Sequence, residues 1–406
     1  LATISPRTDK VYNASRLVVF DWPGMRERAR IELPDARAIA SYDIAPDGRQ
    51  VFITAEDAGQ EKLYVAGIGG GTAKLVGAPA QGVYANLSIG GKRSPVMIAN
   101  YESATEPAEI VRLDRHGKAH KLTAFASAKA AQLDLAPVEN FWFDNERGQR
   151  VHSMLVRPAG FDPAKKYPLL VLMHGGPHTQ WRDQFVLRWN YHLLGAQGYV
   201  LLLTNYVGST GFGEAFAQAI QGDPLKSPAD DINRAADEAI ARYAFIDANR
   251  QCAGGASYGG HLSNWLQGTT KRYRCLISHA GLVNLETQWG TSDTIYSREV
   301  SSGGPVWEQG AIWREQNPIR LAANFSTPVL VTAGEKDYRV PINNDLEYWS
   351  ALQRQKVESK LIVFPDENHW ILDGENSRFF YAEVDQWLQR WLQPQTRVAS
   401  PARAAP

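Results

Sequence analysis

The stretch Gly254-Gly-Ala-Ser-Tyr-Gly-Gly260 decides how the rest of the chain is interpreted. Its Gly-x-Ser-x-Gly core places Ser257 between a short apolar segment, Gln251-Cys-Ala253, and a helical segment at 261–267. Strand, sharp turn and helix in that order form a nucleophile elbow, whose small residues let strand and helix approach each other. The helix start directs partial positive charge towards a developing anion. We therefore predict that Ser257 is a nucleophile on an α/β sheet; a purely structural glycine-rich turn is the alternative.

Apolar runs without alternation flank this motif along the C-terminal two thirds of the chain. They lie at 167–173, 199–203, 275–278, 329–332 and 361–364. Such runs are typical of strands that are buried on both faces of a sheet. Helical segments are predicted between them, at 184–196, 228–243, 260–269, 343–355 and 378–391. The alternation indicates a doubly wound, mostly parallel sheet, and we predict an α/β-hydrolase domain over residues 133–394.

A serine nucleophile needs a base to take its proton and an acid to orient that base. In an α/β-hydrolase the acid comes before the histidine in the chain, and each follows a strand. Asp337 follows the run at 329–332 and His369 follows the run at 361–364, so both are predicted beyond the carboxyl ends of their strands. The weaker alternatives are His261, His279, Glu335, Asp366 and Asp373.

Two backbone N–H groups are predicted to form an oxyanion hole. One belongs to Tyr258, the residue after the nucleophile. The other is assigned to Gly176, in the segment Met173-His-Gly-Gly-Pro177 that follows the first central strand. A tight strand exit with His174 packed beneath the site is the structural alternative, and both interpretations can hold together.

Residues 1–132 have a different pattern, in which short strands alternate with turns. Turn signals at Pro46-Asp-Gly48 and Gly67-Ile-Gly-Gly-Gly71 separate strands at 51–54, 62–66 and 73–76. A weaker copy follows, with strands at 94–99, 109–113 and 119–123. Two units of about 45 residues with about four strands each have the period of a β-propeller blade. We predict a partial propeller of two to three blades here.

Closing a propeller takes at least about four blades, so we expect this chain, which begins at Leu1, to be the C-terminal portion of a longer protein. Residues 395–406 are predicted to be a disordered tail.

Composition excludes several classes of protein. Of 406 residues, 43 are basic and 43 acidic, so the chain lacks the excess of basic residues that is typical of nucleic-acid binding. No apolar run of about 18 residues is present, and no membrane span is expected; the compartment stays open between periplasmic or secreted and cytoplasmic. Cys252 and Cys275 are the only cysteines. They begin neighbouring predicted strands, where free buried thiols are favoured over a bond.

Taken in order, the motifs resemble those of the prolyl oligopeptidase family of serine peptidases. The resemblance covers essentially residues 40–392, and its acylaminoacyl-peptidase and dipeptidyl-peptidase V branch is most similar. It is carried by His174-Gly-Gly-Pro177, Asn205-Tyr-Val-Gly-Ser-Thr-Gly-Phe-Gly213, Gly255-Ala-Ser-Tyr-Gly-Gly260, Thr327-Pro-Val-Leu330, Gly334-Glu-Lys-Asp-Tyr-Arg-Val-Pro341 and Glu299-Val-Ser-Ser-Gly-Gly-Pro305.

The resemblance implies a propeller that caps the hydrolase domain and admits only short peptides. It implies the triad Ser257, Asp337 and His369, without cofactor or metal. Arg339 would reach the carbonyl of the second substrate residue. The first pocket would be lined by Val340, Leu285 and Trp289, although many members have tryptophan at the position of Leu285. Glutamates that grip a free N-terminus are not recognisable in residues 1–126, since Glu102, Glu106 and Glu109 are interpreted as solvated loop charges.

The predicted function is therefore that of a serine peptidase acting near the N-terminus of short peptides through an acyl-enzyme. Dipeptidyl-peptidase and acylaminoacyl-peptidase activities are both compatible with the motifs. A carboxylesterase with the same triad and a non-catalytic binding or assembly fragment are the alternatives. Short peptides are the expected partners, nucleic acid is not, and a homo-oligomer is left open.

Overall fold

The computed structural model describes residues 1–91 and 95–393. The predicted tail at 395–406 and the first residue of the predicted strand at 94–99 lie outside these ranges. Twelve strands of the described residues belong to the N-terminal region. They are β1 Ala2–Ile4, β2 Arg16–Phe20, β3 Glu27–Glu32, β4 Ile39–Ile44, β5 Gln50–Asp57, β6 Gln60–Gly67, β7 Gly71–Thr72, β8 Lys74–Gly77, β9 Val83–Gly90, β10 Val96–Ser103, β11 Glu106–Leu113 and β12 Ala119–Lys121.

These strands form two sheets. The first has the order β1-β2-β3-β7. The second consists of two antiparallel four-stranded meanders, β4-β5-β6-β8 and β9-β10-β11-β12, which a single pair, Glu61 with Val83, joins. Within the described ranges the strands do not close into a ring, so the pairing alone does not establish a propeller.

Burial along β5 and β11 of the N-terminal sheets largely follows the two-residue period of a strand. In β5, Val51, Ile53 and Ala55 are fully buried. In β11, Val111 and Leu113 are buried while Arg112 between them is exposed. Strand β6 differs, because Leu63 belongs to one small apolar core and Tyr64 to another, so this strand is covered on both faces.

The C-terminal region contains a third sheet and most of the helices. Its strands are β13 Glu139–Asp144, β14 Arg150–Val156, β15 Tyr167–Met173, β16 Val200–Asn205, β17 Ile246–Ala256, β18 Cys275–His279, β19 Val329–Gly334 and β20 Ser359–Phe364. The helices are α1 Ser127–Ala130, α2 Tyr191–Gly195, α3 Glu214–Gln218, α4 Lys226–Arg242, α5 Tyr258–Thr269, α6 Leu285–Thr291, α7 Ile295–Ser302, α8 Ala311–Glu315, α9 Asn343–Arg354 and α10 Gly374–Leu392.

The order of this sheet is β13-β14-β16-β15-β17-β18-β19-β20. Pairs from β16 to β20 are parallel, whereas β13 and β14 add an antiparallel edge. The prediction of a mostly parallel α/β-hydrolase sheet is confirmed. Strand β15 covers the predicted run at 167–173 and is buried over its whole length.

Both faces of the sheet are covered. From β15, Leu169 and Val171 point into one apolar core, which helices α4, α5 and α9 complete. Leu170 and Leu172 point into the other core, where α10 contributes Trp387. The sheet therefore sits in the middle of two apolar layers, which is why its strands carry no alternation in sequence.

The predicted helix at 184–196 is wrong in its extent, because only Tyr191–Gly195 is helical. The residues before it contact the N-terminal region instead. The Asp183 carboxylate accepts hydrogen bonds from the backbone N–H groups of Gly82, at 2.6 Å, and Ala104, at 2.8 Å. Arg182 forms an ion pair with Glu61. Within the predicted helix, the Phe185 N–H makes a similar contact by donating to Glu102 Oε2 at 3.1 Å.

The N-terminal segment 7–13 also lies against the hydrolase region. The Val11 N–H donates to Gln221 Oε1 at 2.8 Å, and the Tyr12 carbonyl accepts from Gln218 Nε2 at 2.8 Å. The Tyr12 ring packs on the His178 ring, with centroids 5.0 Å apart. Residues from the start of the chain are thereby held beside the loop that follows β15.

Two expectations about single residues are wrong. Glu109 is not a solvated charge: it is 1% exposed, and its carboxylate accepts from Thr123 Oγ1 and from the N–H groups of Phe125 and Ala126. Cys252 and Cys275 are not free thiols. Their Cα atoms lie 4.8 Å apart as register partners on β17 and β18, and the structure joins them in a disulfide.

No helix among the residues described is both long enough and apolar enough to cross a membrane.

Candidate active site

Ser257 occupies a strained turn between β17 and α5. Its backbone has φ 59° and ψ −119°, a conformation that residues other than glycine seldom adopt. A Cβ atom on Gly255 would lie 2.3 Å from the Met173 carbonyl oxygen, and one on Gly259 would lie 2.1 Å from it. The two glycines of the motif are thus required because strand and helix meet β15 at backbone distance. The strand–turn–helix geometry predicted around Ser257 is present.

Asp337 and His369 lie beyond the ends of β19 and β20 and contact each other. His369 Nδ1 and Asp337 Oδ2 are 2.6 Å apart. The other carboxylate oxygen, Oδ1, accepts from the N–H groups of Arg339, at 2.8 Å, and Val340, at 2.9 Å. Asp337 is 2% exposed and the His369 side chain 14% exposed. The carboxylate is therefore fixed by its own loop, and it orients the imidazole.

His279 connects this pair to the elbow. Its carbonyl oxygen accepts from the Ser257 N–H at 2.9 Å, and its ring lies beside His369. Burial, with His369 acting in the same direction, lowers the pKa of His279 to about 4. Its Nδ1 is 2.8 Å from Thr332 Oγ1. His279 is consequently a neutral, internally bonded ring that positions the site.

Ser257 Oγ forms no hydrogen bond with His369 among the residues described. Catalytic hydrogen bonds are often long before substrate binds. Of the three predicted triad members, two are in direct contact, and the third stands at the end of β17 in the same sheet.

The other acidic candidates have different partners. Asp373 caps α10 by accepting from the N–H groups of Glu375 and Asn376. Asp366 is exposed and lies 3.6 Å from Lys336. Neither carboxylate contacts the ring of His369 among the residues described.

The loop 174–177 passes directly beside the elbow. A Cβ atom on Gly175 would lie 3.4 Å from Ser257 Cβ, and Gly176 has φ 110°, which favours glycine. Gly176 and Tyr258 line the same cavity as Ser257. His174 packs beneath, with its ring stacked on Tyr206 and its Nε2 2.8 Å from Ser209 Oγ.

A cavity of about 400 Å³ opens beside Ser257. Of the predicted pocket residues, Arg339 and Val340 line it. Leu285 and Trp289 do not; they pack behind Val340 in a small apolar cluster with Trp313. The sequence predicts these two residues as pocket walls. The structure places them one layer further out, where they support Val340.

The prolyl oligopeptidase family model matches residues 185–395, which is more than half of the chain. The chain belongs to the prolyl oligopeptidase family. The resemblance stated from the motifs is thereby confirmed.

Curated family members share substantial sequence with this chain. Dipeptidyl-peptidase 5 of Porphyromonas gingivalis is 31% identical over 354 residues, which are 86% of this chain and 51% of the relative. Dipeptidyl-peptidase 5 of Schizosaccharomyces pombe is 34% identical over 252 residues, or 62% of this chain and 37% of the relative. The chain spans about half the length of the curated relatives that it matches.

Solved structures share the fold. Acylaminoacyl peptidase of Pyrococcus horikoshii superposes with a TM-score of 0.81 at 21% identity, over 94% of this chain and 60% of that protein. Dipeptidyl peptidase 4 of Porphyromonas gingivalis superposes with a TM-score of 0.76 at 21% identity, over 93% of this chain and 53% of that protein. At these identities the likeness establishes the fold alone.

Sequence reasoning missed part of the cavity of this family member. Arg298, Gln288 and Tyr296 line it from α6 and α7, and His261 lines it from α5. The motifs indicate His261 only as an alternative base. The helices α6 and α7 belong to the insertion after β18, where the family motif Glu299–Pro305 begins directly after Arg298 and does not include these positions.

Proposed function

We propose that this chain carries the catalytic machinery of a serine peptidase that cleaves short peptides near their N-terminus. Ser257 is the nucleophile, His369 the general base and Asp337 the residue that orients the base. The observation that carries the proposal is the 2.6 Å contact of His369 Nδ1 with a buried carboxylate, at the end of the same sheet in which β17 presents a strained elbow serine.

The reaction follows from these positions. Ser257 Oγ attacks the carbonyl carbon of the scissile bond while His369 Nε2 takes the hydroxyl proton. The tetrahedral oxyanion accepts hydrogen bonds from the N–H groups of Tyr258 and Gly176. Collapse breaks the C–N bond, and His369 returns the proton to the leaving amine. Water then repeats the sequence on the acyl-enzyme and releases the acid.

Electrostatics favour this assignment of base. The Nδ1–H of His369 donates to Asp337, so that Nε2 carries the free lone pair that a base needs. His174 and His279 are neutral internal rings, because burial lowers the pKa of each to about 4. Burial also holds the pKa of His261 well below its ordinary value.

Substrate contacts are proposed for three further positions. Arg339 would donate to the carbonyl of the second substrate residue, and its guanidinium is held in place by Asp293, with Nε 2.6 Å from Oδ1. Val340 would line the first pocket, with Leu285 and Trp289 supporting it from behind. The names of the relatives, dipeptidyl-peptidase 5 and acylaminoacyl peptidase, support short N-terminal peptides as the substrate class.

We further propose that residues 1–132 form part of a β-propeller beside a catalytic domain at 133–394. Two meanders of four antiparallel strands, joined by one residue pair, have the strand content of two blades, and the sheet β1-β2-β3-β7 has that of a third. This arrangement would restrict the site to peptides.

Labelling with a fluorophosphonate probe tests the nucleophile. Wild-type protein is expected to react, whereas Ser257→Ala should not. Hydrolysis of a peptide amide should fall by roughly 10⁴-fold or more in that variant. Ser350→Ala on the exposed face of α9 serves as the matched control and should retain both probe labelling and peptide hydrolysis. A Ser257→Ala protein that still labels at the wild-type rate would refute the proposal.

A further inference from the structure

Charges around the cavity beside Ser257 are segregated, although the whole chain is neutral. Four basic residues line it: Arg7, Lys10, Arg298 and Arg339. Among the residues described, no aspartate or glutamate lines it. A cavity of this kind is complementary to an anion.

Two of the four cations are already engaged. Arg339 is paired with Asp293. The Arg7 guanidinium lies over the ring of Tyr296, 5.4 Å from its centroid. Their charge is therefore partly balanced before any ligand arrives.

Arg298 differs from these. Its side chain on α7 is packed deeply among protein atoms, with part of its surface open to the cavity. Nε donates to Gln288 Oε1 at 2.9 Å, and Nη1 lies 3.4 Å from Ser301 Oγ. Across residues 1–91 and 95–393 no carboxylate lies within 4.0 Å of the guanidinium. Burial lowers the pKa of Arg298 to about 10, which leaves it cationic at neutral pH.

The ring of His261 lies near this guanidinium. Its side chain is 2% exposed and lines the cavity, and its Nε2 atom has no hydrogen-bond partner within the described residues. Burial and then the nearby Arg298 charge keep the ring neutral by lowering its pKa. A buried cation without a carboxylate partner costs stability, and a bound anion would relieve that cost.

We propose that Arg298 binds the side-chain carboxylate of an aspartate or glutamate in the substrate residue that acylates Ser257. Arg298 Nε and Nη1 already donate to Gln288 and Ser301, and the remaining N–H groups of the guanidinium can donate to a carboxylate. The enzyme would then cleave after acidic residues. This inference rests on the proposed peptidase function, because it places the acidic residue on the acyl side of Ser257.

Two blocked peptide amides that differ only in Glu or Gln before the scissile bond test this specificity. Wild-type protein should give a kcat/KM at least about tenfold higher for Glu, because Gln leaves the cation unpaired. Arg298→Met, which keeps the length but removes the charge, should abolish or reverse the preference. Arg234→Met, on the exposed face of α4, is the matched control and should keep it. A wild-type ratio of one or below would overturn the inference.

A second measurement needs neither turnover nor a folded variant. Peptides with a C-terminal amide that end in Glu or Gln should protect Ser257 of the wild-type protein from the fluorophosphonate probe, with Glu effective at roughly tenfold lower concentration. The amide removes the main-chain carboxylate, so protection reports the side chain. Equal protection by both peptides would contradict the assignment, even if Arg298→Met does not fold.

Failure of this inference can be separated from failure of the peptidase proposal. Peptide hydrolysis that depends on Ser257 but prefers Gln or an apolar residue overturns the acidic specificity and leaves the peptidase intact. Labelling that persists in Ser257→Ala overturns the peptidase, and the acidic specificity falls with it.

Discussion

The two regions of the molecule bury their β-strands in different ways. Strand β15 of the hydrolase region is buried along its whole length and feeds two cores, whereas β11 of the N-terminal region buries alternate residues. A sheet covered on both faces brings backbones into contact where strands end, and the candidate site is built there. The N-terminal sheets share smaller apolar cores, and strands such as β11 expose every second residue, so this region should tolerate more change. Sensitivity to mutation should therefore differ sharply between the two regions.

The largest effect is expected from adding one methyl group at the elbow. In Gly259→Ala the new Cβ would lie 2.1 Å from the Met173 carbonyl oxygen, a distance that no side-chain rotation can relieve. We expect loss of fluorophosphonate labelling together with a large fall in melting temperature. Circular dichroism melts and labelling measure both.

Gly67→Ala at the end of β6 is the matched change in the other region. No atom lies within 4 Å of its added Cβ. Stability and labelling should stay at wild-type values, within about 0.5 kcal/mol. Equal damage from the two substitutions would show that close backbone approach does not distinguish the regions.

A pH titration should reveal a buried carboxylate in the hydrolase region. Burial raises the pKa of Asp231 to about 6, although Val207 N–H and Asn145 donate to it. The folded protein therefore favours the protonated acid. Relative to Asp231→Asn, wild-type stability should rise by on the order of 3 kcal/mol as pH falls from 7 to 4. Urea unfolding at several pH values measures this; parallel curves for the two proteins would refute it.

The N-terminal region should respond in the opposite direction. Hydrogen bonds from Thr123, Ala126 and Phe125 hold the pKa of Glu109 at about 2. The folded protein here favours the anion, so this stabilisation is complete above pH about 4.5 and is lost as pH falls towards 2. The protection of amides at residues 106–127, measured as exchange relative to the intrinsic rate at each pH, should fall over that interval in wild type and much less in Glu109→Gln. An unchanged pH dependence in the variant would contradict the assignment.

The smallest effect concerns the contact between the regions. Asp183→Ala leaves the N–H groups of Gly82 and Ala104 without their acceptor, at a cost of about 2 kcal/mol. Amide exchange at these two residues should accelerate while β15 stays protected. Asp9→Ala, at an exposed residue, is the control and should change neither. Unaltered exchange at both amides in Asp183→Ala would show that the regions are held by other contacts.

Whether a feature can be predicted from the sequence depends on whether local or tertiary interactions determine it. The bounds of β15 and the placement of Asp337 and His369 after adjacent strands follow from apolar runs and motif order, which are local signals. The disulfide does not, because it depends on the register that places Cys252 opposite Cys275. The sequence overestimates the length of α2, because residue 183 and its neighbours form hydrogen bonds with the N-terminal region instead of a helix. Arg298 and His261 meet only through tertiary packing of α7 on α5.

The segment 7–13 gives the cavity one wall that does not come from the hydrolase region. It is held by Gln218 and Gln221 and by the ring of His178, three residues outside the predicted triad. The volume open to a substrate is therefore set jointly by two regions that fold around separate cores. Any displacement of this segment, by mutation or by an attached tag, would alter which peptide lengths can enter without touching Ser257, Asp337 or His369.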